Sequence, residues 1–290
     1  MKSKSFSMFD VVVYIFATFF ALATLTPFLN VISVSLSTNA AFLRNPMMII
    51  PTSFDLNAYK TVVSSPLFLS SAWNTVFITL GGTALSMILI TCMAYPIANS
   101  NFKARPFVVY FMVVTMMFNG GLIPNFYLIQ SLGLYDSLWA LILPGSLSTF
   151  NVILMSNYFK SIPASLEEAA KIDGASDFYI LFRIYLPLSL PIISTLALFC
   201  SVGRWNSFFN AIIYIRNRSN WPLQLLLREV IISSMNMFKD SSIDPTMQNT
   251  IPFHNIRYAT IVVTILPILC VYPFLQKYFI KGIMIGSVKG

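Results

Sequence analysis

The sequence predicts an all-α polytopic membrane protein, and three observations support this fold class. Hydrophobic residues make up 57% of the 290 residues and charged residues 10%, which is less than half the charged share of a typical soluble domain. The mean hydropathy is +0.75. Several apolar stretches reach the length of about 20 residues that a helix needs to cross a bilayer. The six predicted spans, within a single domain covering residues 1–290, are 11–36, 70–98, 107–130, 138–159, 188–215 and 258–280.

The first two spans are separated by a proline-rich loop. The apolar run of the first span continues to Leu36, which is too long for a cleaved signal peptide, so we interpret it as a retained span. The loop at 37–69 is expected to be ordered and to lie outside the cell. The second span contains Gly81 and Gly82, and small residues of this kind allow another helix to approach closely.

The third and fifth spans contain features that interrupt a helix. In the third, Asn119-Gly120-Gly121 and Pro124 predict a kink or a partly unwound segment. The fourth span, at 138–159, is followed directly by a polar loop. Pro191 breaks the fifth span, whose interior also carries Arg204.

The segment between the fifth and sixth spans contains another apolar run at 225–238. The adjacent charges of Arg228 and Glu229 lie near its middle, which argues against a seventh span. An amphipathic helix at the membrane surface is the better interpretation.

The distribution of lysine and arginine predicts the orientation. Short cytoplasmic loops are enriched in these two residues. The short link after the second span contains Lys103 and Arg105, whereas the loop between the third and fourth spans contains neither residue type. We therefore expect both termini, together with the loop that follows the fourth span, on the cytoplasmic side.

That loop is a polar segment in an otherwise apolar sequence. Ser165 is followed three residues later by Glu168, a capping-box pattern that predicts the start of a helix. Gly174 is a typical C-terminal residue for such a helix, and Glu167 and Lys171 are spaced to pair along one face. The pattern predicts a short helix at 165–174, which is either an ordinary solvated loop helix or a helix that docks on another protein.

The loop resembles the EAA loop of the membrane subunits of ATP-binding-cassette importers. The matching residues are Glu168, Ala169, Ala170, Gly174, Ile184, Leu186 and Pro187. In that family the helix of the loop lies in a cleft of a cytoplasmic ATPase and couples ATP hydrolysis to transport. The resemblance therefore implies a coupling role for Glu167, Glu168, Ala169, Ala170, Asp173 and Gly174.

The whole chain resembles the smaller membrane subunit of carbohydrate importers of the maltose type. The matches are Asn74-Thr75, Ala94-Tyr95-Pro96 and Trp205-Asn206 followed by Phe208-Phe209. Two further segments, Asn119–Pro124 and Trp221–Gln224, resemble the branch associated with complex oligosaccharides.

This resemblance implies a type I importer permease in the cytoplasmic membrane of a bacterium, assembled with four kinds of partner. They are a second permease subunit, two ATPase subunits that bind ATP and Mg²⁺, an extracytoplasmic solute-binding protein and the oligosaccharide. The chain itself is expected to bind no cofactor, and it has no Gly-Lys-Ser/Thr motif that would hold a phosphate.

The candidate substrate-path residues are Arg204, Trp205, Asn206, Phe209, Asn119 and Tyr127. An arginine that faced lipid would cost about 2.5–3.5 kcal/mol, so Arg204 should face the helix bundle, a cavity or a partner chain. A guanidinium matches the geometry of a carboxylate, which favours an acidic saccharide. The alternative is that Arg204 pairs with the second membrane subunit or with backbone carbonyls.

Other classes of function fit the sequence less well. The basic residues are not clustered as nucleic-acid binding requires, and the single histidine, His254, makes a histidine-based metal site improbable. None of the 10 acidic residues lies inside a predicted span, which argues against an ion-coupled transporter and an intramembrane enzyme. A permease for amino acids or peptides stays open as an alternative.

Overall fold

The computed structural model describes residues 8–118, 120–239 and 253–287, and the regular secondary structure within these ranges is helical. The helices are α1 (Met8–Ser35), α2 (Asn39–Arg44), α3 (Asn57–Ser64), α4 (Pro66–Ala98), α5 (Arg105–Met117), α6 (Leu122–Ser131), α7 (Trp139–Ile142), α8 (Thr149–Lys160), α9 (Ala164–Ile172), α10 (Asp177–Leu188), α11 (Leu190–Trp205), α12 (Phe209–Tyr214), α13 (Leu223–Lys239) and α14 (Phe253–Ser287). The all-α prediction is confirmed for these residues.

Three of the described helices are long and apolar enough to cross a membrane. They are α1, α4 and the part of α14 between His254 and Val271. Two bent pairs of helices would each add one span: α5 and α6 are bent by 116°, and α10 and α11 by 82°. The described chain therefore contains three candidate spans, or up to five if each bent pair counts as one.

Helix α1 has the composition and exposure of a helix that lies in lipid or against another chain. Its 18-residue apolar window is 0% buried, and only Ser33, Val34 and Ser35 are buried in the whole helix. Exposing such an apolar surface to water would be unfavourable. The helix continues through Pro27, and Asn30 Nδ2 donates hydrogen bonds to the carbonyl oxygens of Pro46 and Met48, at 3.0 and 2.9 Å.

The fourth predicted span is not one continuous helix in the structure. Residues 138–159 instead contain α7 and α8, which are separated by a segment with Pro144 and Gly145. Gly145 has a φ of 75°, a backbone conformation that ends a right-handed helix and that glycine adopts readily. Helix α8 has 12 residues, so it is about 18 Å long, shorter than the hydrocarbon core of about 30 Å.

The fifth predicted span also ends earlier than expected. Helix α11 ends at Trp205, with Asn206 as its C-cap, and a new helix, α12, starts at Phe209. Arg204 therefore lies in the last turn of a helix and not in the interior of a longer one. The run at 225–238 does form a helix, α13, as predicted.

The chain divides into two compact units, residues 1–69 with 226–266 and residues 70–225 with 267–290. In the first unit a small core contains Val34, Phe42 and Met48. Asn255 Nδ2 donates hydrogen bonds to the carbonyl oxygens of Val34 and Ser37, at 2.9 and 2.5 Å. These contacts, together with α2 and α3, give order to the loop at 37–69, as the sequence predicted.

The second unit contains the larger core, built from α4, α5, α8, α10 and α11. The buried residues of this cluster are Ile90, Ala94, Ile97, Met112, Val152, Met155, Phe159, Ile180, Leu181, Tyr185 and Leu196. Helix α9 also contacts this core, because its partly buried residue Ala170 packs against the cluster. This packing positions the first candidate site.

Candidate functional site

The predicted docking helix is present as α9, but it does not begin as the sequence predicted. The helix starts at Ala164, one residue before Ser165, and its N-cap is Pro163, which makes no side-chain capping bond. The capping-box prediction was therefore wrong. Helix α9 ends at Ile172, with Asp173 as its C-cap. Gly174 has a φ of 80°, which is the left-handed conformation expected after a helix C-terminus.

The helix has two different faces. Its outer face, which we define as Ser165, Glu168, Ala169 and Ile172, follows the i, i+3, i+4, i+7 spacing of one side of a helix, and all four residues are exposed. Ile172 is 86% exposed. Asp173 and Gly174 are exposed just beyond the helix. An isoleucine so exposed on a short helix is suited to contact another protein.

The inner face of α9 is fixed to the rest of the unit through Glu167. Lys171 Nζ donates a hydrogen bond to Oε1 of Glu167 at 2.6 Å, which is the predicted pair. The Tyr185 hydroxyl donates to Oε2 at 2.6 Å. Burial on its own would raise the pKa of Glu167, but the hydrogen bonds from Lys171 and Tyr185 and the charge of Lys171 hold that pKa below its ordinary value.

Arg204 is half-buried in the second unit, where its side chain points toward α4 and the segment between α7 and α8. Its Nη2 atom donates hydrogen bonds to the hydroxyl oxygens of Ser86, at 2.9 Å, and Ser146, at 3.3 Å. Within the described residues no carboxylate lies at salt-bridge distance from Arg204. The side chain runs over Gly82, where an added Cβ would lie 2.2 Å from the Nε atom. The sequence pattern at Gly81-Gly82 had suggested close helix approach, but at Gly82 the room is occupied by this arginine.

Arg204 lines a cavity of about 250 Å³. Its lining is mixed, with Thr75, Ser207 and Asn210 among the polar residues and Ile78 among the apolar ones. The Ser207 hydroxyl and the Asn210 amide could bind the hydroxyl groups of a sugar, and the guanidinium could bind a carboxylate, whereas the Thr75 hydroxyl is already hydrogen-bonded to Ser71 and Leu223. This cavity is the part of the structure that best fits the predicted substrate path.

Trp205, the neighbour of Arg204, lines a different cavity. That cavity measures about 720 Å³ and is mainly apolar, with walls that include Leu80, Leu198 and Ile268. The structure therefore separates two residues that the sequence analysis had placed on one path.

The other candidate path residues are distributed more widely. Asn206 is exposed at the end of α11 and accepts a hydrogen bond from Gln224 at 3.4 Å. Phe209 and Tyr127 are 58% and 65% exposed, and neither lines the cavity at Arg204. Asn119 lies outside the described residues.

Several structural contacts near these sites were not predicted from the sequence. Asn74 Nδ2 donates hydrogen bonds to the carbonyl oxygens of Ser219 and Trp221, at 2.7 and 3.2 Å. Thr75 accepts a hydrogen bond from the backbone of Leu223 at 2.7 Å. The Asn-Thr pair that opens the second predicted span thus fixes the segment before α13. The motif match was the only signal, and it did not reveal the partners.

Tyr185 is the other residue that the sequence analysis missed. It lies 18 positions after Glu167, within the motif, between Ile184 and Leu186. The tyrosine itself is not part of the recognised pattern. Its position two residues before Pro187 of the motif was the only feature of the sequence that could have drawn attention to it.

A family model described as a binding-protein-dependent transport system inner membrane component matches residues 82–285. Among curated proteins, the chain is 44% identical to a polygalacturonan/rhamnogalacturonan transport system permease protein of Bacillus subtilis, over 100% of both chains. It is also 45% identical to the protein LplC of Bacillus subtilis, over 100% of this chain and 97% of the relative.

The structure is similar to a solved chain from a bacterial ABC transporter involved in the import of the acidic polysaccharide alginate. The TM-score is 0.85 and the sequence identity is 34%, and the comparison covers 96% of this chain and 99% of the other. The likeness extends over almost the full length of both chains.

Proposed function

The chain belongs to the family of binding-protein-dependent transport system inner membrane components, and from this premise we propose that it is the permease subunit of an ATP-driven importer of oligosaccharides. Members of this family are membrane transport subunits and not enzymes. The observation that supports a coupling role most directly is the outer face of α9, where Glu168 and Ile172 are exposed within a sequence that resembles the EAA loop.

We propose that this outer face docks on a cytoplasmic ATPase subunit. ATP binding would bring two ATPase subunits together, and α9 would move with the subunit it contacts. The movement would pass to the helices around the transport path and alternate its opening between the two sides of the membrane. A second permease subunit, related to this chain, would form the other wall of the path, and an extracytoplasmic solute-binding protein would deliver the cargo.

The docking role is tested by copurification with the ATPase subunits. Ile172→Asp places a charge at a position that is 86% exposed, so the fold should tolerate it, and Met47→Asp, at a position that is 87% exposed in another loop, is the matched control. We expect the ATPase subunits to be lost from the Ile172→Asp complex and retained by the Met47→Asp complex. Equal retention by both variants would contradict docking through this face.

The cargo we propose is an acidic oligosaccharide. One relative is named for polygalacturonan and rhamnogalacturonan, and polygalacturonan is a polymer of a sugar acid. The similar structure belongs to an importer of an acidic polysaccharide. Arg204 supports this choice because, within the described residues, its side chain bonds to the hydroxyls of Ser86 and Ser146 and to the thiol of Cys200 and pairs with no carboxylate. The names of the relatives favour carbohydrates over the alternative of amino acids or peptides.

We further propose six spans with both termini in the cytoplasm, which places α9 on the ATPase side of the membrane. The described residues supply three to five candidate spans. The sixth would require the segment around α7 and α8 to cross the membrane as a broken helix. Basic residues in the short link after α4 support the orientation.

A further inference from the structure

Two adjacent glutamates on α9 face opposite environments. Glu168 lies on the exposed outer face, whereas Glu167 is partly buried and accepts hydrogen bonds on both of its carboxylate oxygens. One of those bonds comes from Lys171 on the same helix, and the other comes from Tyr185 on α10. The Tyr185 bond therefore joins α9 to a different helix.

Tyr185 is held firmly at the other end of this bond. It is 6% exposed, and its ring packs edge-on against two aromatic rings from two further helices. The ring centroid of Tyr95, on α4, is 5.2 Å away, and that of Phe159, on α8, is 5.3 Å away. Edge-to-face aromatic contacts of this kind are favourable and specific in geometry. The tyrosine thus connects Glu167 to α4 and α8 together.

A local irregularity of α10 helps to place the tyrosine. Residues Leu181–Tyr185 form a π-helical turn, which accommodates one more residue per turn than an α-helix. One extra residue changes the direction of the following side chains by about 100°. Leu181 and Tyr185, the first and last residues of this turn, are both buried. Turns of this type are often found at functional sites.

The alternative route for movement from α9 is the chain itself. The link Ser161–Pro163 joins α8 to α9 directly, and Ala170 packs against the core. The packing of Ala170 is apolar and has little directional preference, and the covalent link constrains only the first residue of α9. The Glu167 hydrogen bonds are charge-assisted, which makes them stronger than neutral ones, and they hold the middle of α9, where the covalent link does not act.

We propose that Glu167 and Tyr185 are positioning residues that form the joint through which α9 transmits movement to α4 and α8. Glu167 therefore faces inward and does not contact the ATPase, whereas Glu168 faces outward. This inference rests on the proposed coupling function, and it assigns the two acidic residues of the motif to different tasks.

The test begins with the joint itself and does not depend on transport. Tyr185→Phe removes the hydroxyl and keeps the ring that packs on Tyr95 and Phe159. The matched control is Tyr158→Phe, which removes a hydroxyl bond to the carbonyl oxygen of Leu188, at 3.3 Å, without touching α9. Amide hydrogen exchange of α9 is measured in the assembled complex. We expect exchange about tenfold faster in Tyr185→Phe, as the loss of a hydrogen bond to a charged group predicts, and unchanged exchange in Tyr158→Phe.

The second readout is the number of sugar molecules transported per ATP hydrolysed by the complex in proteoliposomes. We expect this ratio to fall severalfold in Tyr185→Phe and at least as far in Glu167→Ala, which also removes the bond from Lys171. The double variant should fall no further than Glu167→Ala alone, because the Tyr185 bond is already lost there. Tyr158→Phe should keep the wild-type ratio. A structural role alone would instead lower the stability of all the variants and leave the ratio unchanged.

The possible results separate the two proposals. Three results would each contradict the proposed joint. The first is unchanged amide exchange of α9 in Tyr185→Phe, and the second is faster exchange with a wild-type transport ratio. The third is an equal effect of Tyr185→Phe and Tyr158→Phe. An Ile172→Asp complex that retains its ATPase subunits would overturn docking through the outer face, and a lower ratio in Tyr185→Phe would still support the joint.

Discussion

At the scale of single residues, Arg204 shows how a charge is accommodated in an apolar protein. Its guanidinium bonds to serines on two other segments, and its side chain occupies the space left by the missing side chain of Gly82. Ser86 is one helical turn after Gly82 on α4, so the glycine and the serine lie on the same face. On that face of α4, Gly82 leaves space for the arginine side chain and Ser86 accepts its hydrogen bond.

The fit between Arg204 and Gly82 gives a first prediction. A Cβ atom at Gly82 would lie 2.2 Å from Nε and 2.7 Å from Cδ of Arg204, whereas a Cβ at Gly81 would meet nothing within 4 Å. In Gly82→Ala the arginine side chain would have to move away from Ser86 and Ser146, so this variant should be less stable than Gly81→Ala by about 1–3 kcal/mol, whereas Gly81→Ala should be neutral or slightly stabilising. Thermal unfolding of the purified complex measures both. Equal melting temperatures for the two variants would mean that Arg204 does not depend on Gly82.

A second prediction concerns the cargo. Arg204→Gln keeps polar bonding but removes the charge, so uptake of an oligouronate should slow about tenfold or more, which is the order expected for one lost charge-assisted bond. Uptake of a neutral oligosaccharide of the same length, if it is transported, should change less. Initial rates of uptake, measured with both substrates in the wild type and in Arg204→Gln, test this prediction. If the substitution slows both substrates equally, or slows neither, Arg204 has a structural role and its charge does not select the cargo.

At the scale of helices, the sequence predicted the elements that depend on a single long apolar run. Helices α1, α4 and α14 follow directly from such runs. The apolar runs did not locate the break at Gly145 within the fourth span, because an average over apolar residues is insensitive to one left-handed φ. The predicted helix start failed at Ser165, because the preceding Pro163 is the N-cap and the helix already begins at Ala164.

The candidate sites were predictable to a similar extent. The pairing of Glu167 with Lys171 follows from their spacing on one helix, but the bond from Tyr185 depends on the π-helical turn in α10, which no spacing rule indicates. The cost of its charge in lipid predicted that Arg204 would face other protein segments or a cavity, and its side chain does line a cavity. Its serine partners were not predicted, because they lie 118 and 58 residues away.

A prediction for α9 follows from its two ionised side chains. The pKa of Glu167 is lowered from its ordinary value of 4.5, so its stabilising contribution is present above pH 4.5 and is lost as the pH falls through the lower pKa of the folded state. Hydrogen bonding to Glu167 raises the pKa of Lys171 above 10.5, so its contribution is present below pH 10.5 and is lost as the pH rises through the higher pKa of the folded state.

The attachment of α9 should therefore be independent of pH between about 5.5 and 9.5, since both side chains stay ionised across this range. Protection factors for the amides of Ala164–Ile172, corrected for the intrinsic exchange rate at each pH, provide the measurement. A large loss of protection between pH 8 and pH 6 would contradict the assignment, because neither group titrates there.

At the scale of the whole molecule, the proposed topology makes a prediction that labelling can check. In a background in which Cys92, Cys200 and Cys270 are replaced, single cysteines are introduced at Met47 and at Ser176, two exposed positions. A membrane-impermeant thiol reagent added to sealed cells should label position 47 and should label position 176 only after permeabilisation. Labelling of position 176 in sealed cells would place α9 on the wrong side for an ATPase.

We propose that this chain couples ATP hydrolysis to the movement of an oligosaccharide through α9. The most direct measurement is uptake of the oligosaccharide that the purified solute-binding protein retains, by proteoliposomes that contain the whole complex, with and without ATP on the side of the ATPase subunits. We predict uptake that requires ATP in the wild type and that is abolished, together with cargo-stimulated ATP hydrolysis, by Glu168→Lys. Uptake that proceeds without ATP, or wild-type uptake and hydrolysis in Glu168→Lys, would contradict the account.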